Sequence, residues 1–188
     1  IDFSNTVASR IMLCDMLWKG GAYSFNSNVT LSSQPSYASR CPDYTGGSSW
    51  GSNAQIWLET VTAFTGNQSI AITYTNQDGV TGRTTGTIAT GVAPTLGRML
   101  QLPLQAGDSG VQKIESVVSS VSTVGTFNVL VLRQLWSGRV PLAGFSDIHG
   151  MDKTGFPIIY ADSALIALVR ADSTSSGIPD LMMQVVNG

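Results

Sequence analysis

Apolar and polar residues alternate along most of this chain, a pattern that predicts β-strands. Between Gln68 and Val121, the apolar residues Ile70, Ile72 and Tyr74 alternate with small or polar ones, the period-two signal of a strand with one buried face. The following segment 76–79 (NQDG) has turn chemistry, because Gly accepts positive φ and Asn or Asp side chains bond their own backbone. This stretch therefore predicts hairpin strands that form the scaffold of the domain.

The same pattern predicts strands on both sides of this stretch. They are separated by turn residues rather than by helices, which excludes βαβ folds. About nine strands predict an all-β fold, an antiparallel β-sandwich of the jelly-roll kind, with an up-and-down barrel as the second possibility. Outside the scaffold stretch the predicted strands are Asn28–Ser33, Gln55–Phe64, Thr126–Trp136, Ile158–Tyr160, Leu165–Arg170 and Leu181–Val186.

One segment, Ser4 to Lys19, shows helical spacing instead. Val7, Ile11 and Trp18 lie with Cys14 at intervals of four, three and four residues, as on one face of an amphipathic helix. We therefore expect an N-terminal helix within residues 1–21, followed by a single β-sandwich domain over residues 22–188. The apolar face of this helix is interpreted either as a docking arm for another subunit or as a cap on its own sandwich.

A long polar segment between residues 34 and 53 carries three aromatic residues, Tyr37, Tyr44 and Trp50. Loops of this length are uncommon and are usually functional or mobile. Its aromatic side chains could stack on sugar rings or anchor a protein interface, where Tyr and Trp are enriched. They could equally hold the loop against its own domain.

Composition excludes several classes of function. Charged residues make up 12% of the chain and the net charge is −2, so the clustered Lys and Arg of a nucleic-acid surface are lacking. The longest apolar run, from Ala164 to Val169, is far shorter than the roughly 18 residues of a membrane helix. The chain starts without Met or a secretory signal pattern, as expected of a processed or partial chain. Partners are therefore expected to be neither nucleic acid nor membrane.

Two cysteines, Cys14 and Cys41, permit one disulfide bond. Free thiols are the expected state, because disulfide-stabilised domains are usually smaller and richer in cysteine.

The histidine at position 149 is the only one in the chain. Together with Asp147 and Asp152, His149 could ligate a cation or act as a general base. The usual zinc ligand sets and the calcium-loop spacing are missing, however. A solvated loop without metal is the expected state.

Other catalytic arrangements are weaker still. Glu59 and Glu115 lie in predicted strands and could form a carboxylate pair for glycoside hydrolysis, but strand carboxylates usually face solvent. Arg83 follows a glycine turn that leads into no helix, so a surface or cross-strand partner is expected rather than a phosphate site. We predict no catalytic residue, no metal site and no cofactor.

An Asp-x-Leu-Trp element at Asp15–Trp18 precedes two turn-containing segments, Tyr74–Arg83 (YTNQDGVTGR) and Leu102–Val111 (LPLQAGDSGV). Together these segments resemble small structural proteins of tailed bacteriophages, the head decoration or cement proteins and related virion components. The resemblance implies a non-enzymatic, β-rich homotrimer that binds the major capsid protein at junctions of the capsid lattice. It also implies a location on the capsid surface of virions assembled in the host cytoplasm.

The sequence thus predicts a capsid decoration protein. Its possible interface residues are Val7, Ile11, Trp18, Tyr37, Tyr44 and Trp50. One alternative is a tail, fibre or collar component of the virion. Another is a carbohydrate-binding β-sandwich, in which a glycan would stack on the loop aromatics.

Overall fold

A computed structural model describes residues 1–25, 28–43, 49–67, 69–90, 96–119, 124–155 and 157–186. Strands account for 53% of the structure and helix for 4%, and every strand pairing described is antiparallel. The all-β prediction is therefore confirmed.

Most strands in the described part of the chain have nine residues or fewer, and two are longer. In chain order they are β1 (Asp2–Asn5), β2 (Ser9–Ser24), β3 (Val29–Thr30), β4 (Ala54–Thr62), β5 (Ser69–Asn76), β6 (Arg83–Thr84), β7 (Ile88–Ala89), β8 (Met99–Leu102), β9 (Val111–Ser119), β10 (Thr126–Val140), β11 (Ser146–Ile148), β12 (Leu165–Ala171) and β13 (Pro179–Met182). A single 3₁₀ turn, Ala38–Arg40, and one short helix, α1 (Met151–Thr154), complete the elements described.

The predicted N-terminal helix is wrong: the segment Ser4–Lys19 forms the end of β1 and most of β2. The inward positions of β2 follow period two, and Ser9, Ile11, Leu13, Asp15 and Leu17 are all buried. Two of these five, Ser9 and Asp15, are polar, so the apolar residues alone do not show the alternation. Their hydrogen bonds make burial tolerable, because buried polar groups require partners.

The predicted strand Ile158–Tyr160 is also wrong, because residues 157–160 belong to no strand. The remaining predicted strands outside the scaffold stretch all overlap observed ones, although with shifted ends. Asn28–Ser33 shrinks to β3, and Thr126–Trp136 extends to β10, which ends at Val140.

The chain divides into two compact units. Unit 1 comprises Ile1–Asp15 and Gln134–Gly188, and unit 2 comprises Met16–Arg133. The expected boundary between residues 21 and 22 therefore falls inside β2, which runs from Ser9 to Ser24.

Unit 1 contains a three-stranded sheet in the order β11–β1–β13, and the first part of β2 pairs with β12. Its core is formed by five buried side chains: Phe3, Ile11, Leu13, Trp136 and Val140.

Unit 2 contains the sheet β3–β9–β5–β6, with β7 also paired to β5. It also contains the first part of β10, which pairs with β4, and β8, which pairs with the other side of β4, all antiparallel. Alternate residues of β4, such as Ile56 and Leu58, share one core cluster with Ile70 and Ile72 of β5. Alternation thus buries one face of each strand, as the sequence predicts.

Candidate functional site

A dense polar cluster of unit 2 lies where β5, β6 and the loop before β9 meet. The Asn76 side-chain oxygen accepts hydrogen bonds from the backbone N–H of Asp78 and Val80, both at 3.0 Å. Gly79, with φ +78°, completes this turn, because a side chain is strained at positive φ. The turn sends the chain into β6, where Arg83 lies opposite Tyr74 in register.

Asp108 is the centre of this cluster. Its Oδ2 accepts hydrogen bonds from the Tyr74 hydroxyl at 2.6 Å and from Arg83 Nε at 2.9 Å. Its Oδ1 accepts from Asn76 Nδ2 at 2.8 Å and from Arg83 Nη2 at 3.0 Å. We call Tyr74, Asn76, Arg83 and Asp108 the Asp108 cluster. Arg83 thus pairs with a carboxylate of this protein, but Asp108 lies in the loop before β9 and not on a neighbouring strand.

Electrostatics favour the ionised form of Asp108. Desolvation raises the pKa of this carboxyl, but the hydrogen bonds from Arg83, Asn76 and Tyr74 outweigh it and hold the pKa below its ordinary value. The same contact acts oppositely on the phenol: burial first, then the hydrogen bond to Asp108, raise the pKa of Tyr74 to about 12.

Gln77 joins the turn to the segment after Asp108. Its Oε1 accepts hydrogen bonds from the backbone N–H of Ser109 and Gly110 at 3.0 and 3.1 Å. Gln112 Nε2 in turn donates to the Gln77 carbonyl at 2.7 Å. The donors and acceptors of this cluster bind one another, which is the arrangement of a structural clasp rather than of a site that receives a substrate.

The second polar cluster surrounds His149 in unit 1. Its Nδ1 accepts a hydrogen bond from Trp136 Nε1 at 2.9 Å, and its Nε2 lies 3.0 Å from Asp147 Oδ1. An indole nitrogen only donates, so this geometry assigns a neutral imidazole whose Nε2–H donates to Asp147. Both ring nitrogens are used, and neither faces a hydroxyl nucleophile as a catalytic triad requires.

Asp152, the third residue of the possible cation site, forms no metal-binding group with His149 and Asp147. No group of three or more His, Cys, Asp or Glu side chains placed to hold a metal occurs among the residues described. The loop is also more ordered than a solvated connection, because Asp147 Oδ2 accepts a hydrogen bond from the Arg139 backbone N–H at 3.0 Å.

Glu59 and Glu115 have separate partners. Glu59 forms an ion pair with Lys19 at 2.7 Å and accepts a hydrogen bond from Asn128. Desolvation raises its pKa, but these two contacts outweigh it and lower the pKa overall. Glu115 accepts a hydrogen bond from the Thr75 hydroxyl at 2.8 Å. The structure therefore assigns each carboxylate a cross-strand role of its own.

Two of the possible interface residues are buried. Ile11 is 1% exposed within the core of unit 1, and Tyr37 is 2% exposed. Neither can offer contact surface in this conformation, so these two predictions are wrong. Tyr37 instead donates a hydrogen bond to the Val111 carbonyl at 2.7 Å and packs edge-on against Trp50, with ring centroids 5.1 Å apart. For this residue the aromatic loop is held against its own domain.

The remaining possible interface residues keep partial exposure or cannot be placed. Val7, Trp18 and Trp50 are half-buried, and Tyr44 lies outside the described residues. Cys14 and Cys41 are free thiols and are both buried, which agrees with the expectation of no disulfide bond.

Sequence reasoning missed a group of exposed apolar side chains in unit 1. Ile148 of β11 and Met182 of β13 both lie opposite Asp2 in register. Directly opposed residues point to the same face of a sheet, and here that face is open, with Ile148 65% and Met182 70% exposed. Apolar character by itself predicts burial, so no pattern in the sequence marks these residues as exposed.

Within the described part of the chain, no helix has the length and apolar character to cross a membrane. Comparisons with protein-family models, characterised proteins and solved structures found no match for this chain.

Proposed function

We propose that this chain is a non-enzymatic virion structural protein, a decoration protein that binds the assembled phage head. In this proposal the strands form a jelly-roll-type sandwich, the protein acts as a homotrimer, and its partner is the major capsid protein. The protein then resides on the capsid surface.

The observation that carries the proposal is the exposed apolar surface of unit 1. Besides Ile148 and Met182, the loop residues Leu142, Phe145 and Ile178 are more than half exposed. Ile148 and Met182 share one face of a sheet, and exposed apolar faces are typical of protein–protein contact surfaces. A surface of this kind favours binding to other protein subunits over action on a small substrate.

The Asp108 cluster supports the same proposal. It ties together Tyr74–Arg83 and Leu102–Val111, the two segments that resemble decoration proteins. Because the cluster satisfies its own polar groups, it supports a scaffolding role for these segments.

The mechanism is stabilisation by mass action. A protein that binds the assembled shell more tightly than its unassembled subunits favours the assembled state by that difference in affinity. Three linked copies bind with avidity, so each single contact can remain weak.

The test is the native mass of the purified chain, alone and mixed with heads of the phage that encodes it. We expect an oligomer that co-sediments with heads. The double variant Ile148→Ser with Met182→Ser should lose co-sedimentation, whereas Val80→Ser with Val118→Ser, at exposed sites of unit 2, should retain it. A monomer without affinity for heads, or loss in the control variant alone, would overturn the proposal.

Two further measurements separate the alternatives. Co-sedimentation with isolated tails rather than heads would favour a tail, fibre or collar component. Micromolar binding on a glycan array, lost in Trp50→Ala, would favour a carbohydrate-binding module. That alternative is weakened by Tyr37, whose burial removes one of its three stacking residues.

A further inference from the structure

Strand β12 is an apolar edge strand. It lies at the end of the strand order of its sheet, and the first part of β2 is its neighbour. Its seven residues read LIALVRA, with Arg170 as the only charge. The pairing with β2 runs over all seven residues without a register shift. Natural edge strands are usually protected by Pro, bulges or several charges, and β12 has none of these.

Burial falls sharply from β2 to β12. Ile11 and Leu13 of β2 are buried, whereas Val169 and Ala167, their partners in register on β12, are half-buried and exposed. On the opposite face, Leu168 is half-buried. The core of unit 1 therefore thins out at β12, where half-buried Val169 packs at its margin, and an added strand would bury more apolar surface of β12 on both faces.

The charges beside β12 indicate which side chains an added strand would carry. Arg170 lies directly opposite Arg10, and both side chains are exposed. Like charges in this position destabilise a sheet. None of the described ion pairs involves either guanidinium. Arg139 of β10 lies on this face too, because its neighbours Trp136 and Val140 point into the core. A carboxylate beside Arg170 would relieve this repulsion.

We propose that the outer edge of β12 accepts an extended segment of a partner protein as an additional strand. The segment places a carboxylate beside Arg170 and an apolar side chain beside Leu168, two residues along. Main-chain hydrogen bonds supply affinity and the alternate side chains supply specificity, as in other cases of strand addition. This inference does not depend on the proposed function.

Other occupants fit less well. Two copies of β12 paired edge to edge would leave both Arg170 side chains without a carboxylate, since LIALVRA contains no Asp or Glu. Nucleic acid needs several clustered cations along its backbone, whereas this face combines three arginines with the apolar side chains of Met12 and Leu168.

The test uses two fluorescent synthetic peptides of alternating Val and Thr. One has a single Glu placed to lie beside Arg170, and the other has Lys at that position. With the full chain we expect the Glu peptide to bind about five-fold tighter than the Lys peptide, the size of one strong cross-strand ion pair. Hydrogen exchange should show new protection in Leu165–Ala171 on binding.

The variants make the test specific. Arg170→Glu should reverse the preference between the peptides, and Arg170→Gln should abolish it. Lys153→Glu makes the same change of charge on α1 of the same unit and should leave the preference unaltered. Equal binding of both peptides, no binding of either, or concentration-dependent self-association that protects β12 would each overturn the proposal.

Discussion

At the scale of single residues, Asp108 shows how one carboxylate stabilises a loop region. It accepts hydrogen bonds from Tyr74, Asn76 and Arg83. The sequence predicts the Asn76 turn because that turn follows from local chemistry. It does not identify Asp108 as the common partner of Asn76 and Arg83, since 32 residues separate Asp108 from Asn76.

Asp108→Asn should destabilise the protein by about 2 kcal/mol, because hydrogen bonds to a charged group are worth more than neutral ones. The native pKa is lowered, so this contribution is present above the unfolded pKa, near 3.9, and is lost as pH falls further. Urea unfolding at pH 7 and pH 3 measures both effects, and the gap between variant and wild type should narrow at pH 3. Asp172→Asn, at an exposed site, is the control and should change stability by less than about 0.5 kcal/mol.

The raised pKa of Tyr74 predicts how stability changes at alkaline pH. Its native pKa of about 12 exceeds the unfolded value near 10, so its contribution is present below pH 10 and is lost as pH rises towards 12. Between pH 9 and 11, the free energy of unfolding measured in urea should fall less steeply for Tyr74→Phe than for wild type. It should also be about 1 kcal/mol less stable at pH 7. Identical slopes would contradict this role.

At the scale of secondary-structure elements, β2 shows that tertiary contacts can override the helical spacing of apolar residues in a sequence. Val7, Ile11, Cys14 and Trp18 have helical spacing, and that spacing is real. The competing alternation passes through Asp15, which is buried and accepts hydrogen bonds from the Ser163 hydroxyl and the Ala164 backbone N–H. A buried Asp is rare without such partners, and no residue near Asp15 in the sequence indicates them.

Leu13 distinguishes the two structures of this segment. It lies outside the helical stripe of Val7, Ile11, Cys14 and Trp18, but it is 3% exposed in β2. Leu13→Ala should therefore destabilise the protein by about 3 kcal/mol, the usual cost of truncating a buried leucine. Met12→Ala, at a half-buried position, should cost about 1 kcal/mol. Similar costs in thermal or urea unfolding would argue against the observed strand.

At the scale of the whole molecule, long-range pairing decides which parts of the chain form a unit. The first 15 residues belong with Gln134–Gly188 because β1 pairs with β13 and β2 pairs with β12. A boundary between residues 21 and 22 follows from the helix prediction and disappears with it.

Each unit contains one buried thiol that reports on its opening. Burial, and to a lesser extent Asp15, raises the pKa of Cys14 to about 11, and Cys41 donates its thiol hydrogen to the Ser52 carbonyl. A thiol reagent at pH 8 should label both at least about 100-fold more slowly than in denaturant, because reaction needs an exposed thiolate. Cys14→Ser and Cys41→Ser separate the two signals. Rapid labelling of the native protein would show that a unit opens.

The sequence by itself determined the β-class of this protein, most of its strands and its central turn. Alternation in β5 and the chemistry of Asn76 and Gly79 act within a few residues, so they can be read locally. Tertiary structure alone decided that Asp15 is buried in a strand and that Ile148 is exposed on a sheet. Both depend on partners far away in the chain, whose hydrogen bonds and packing outweigh the preference of the residue itself.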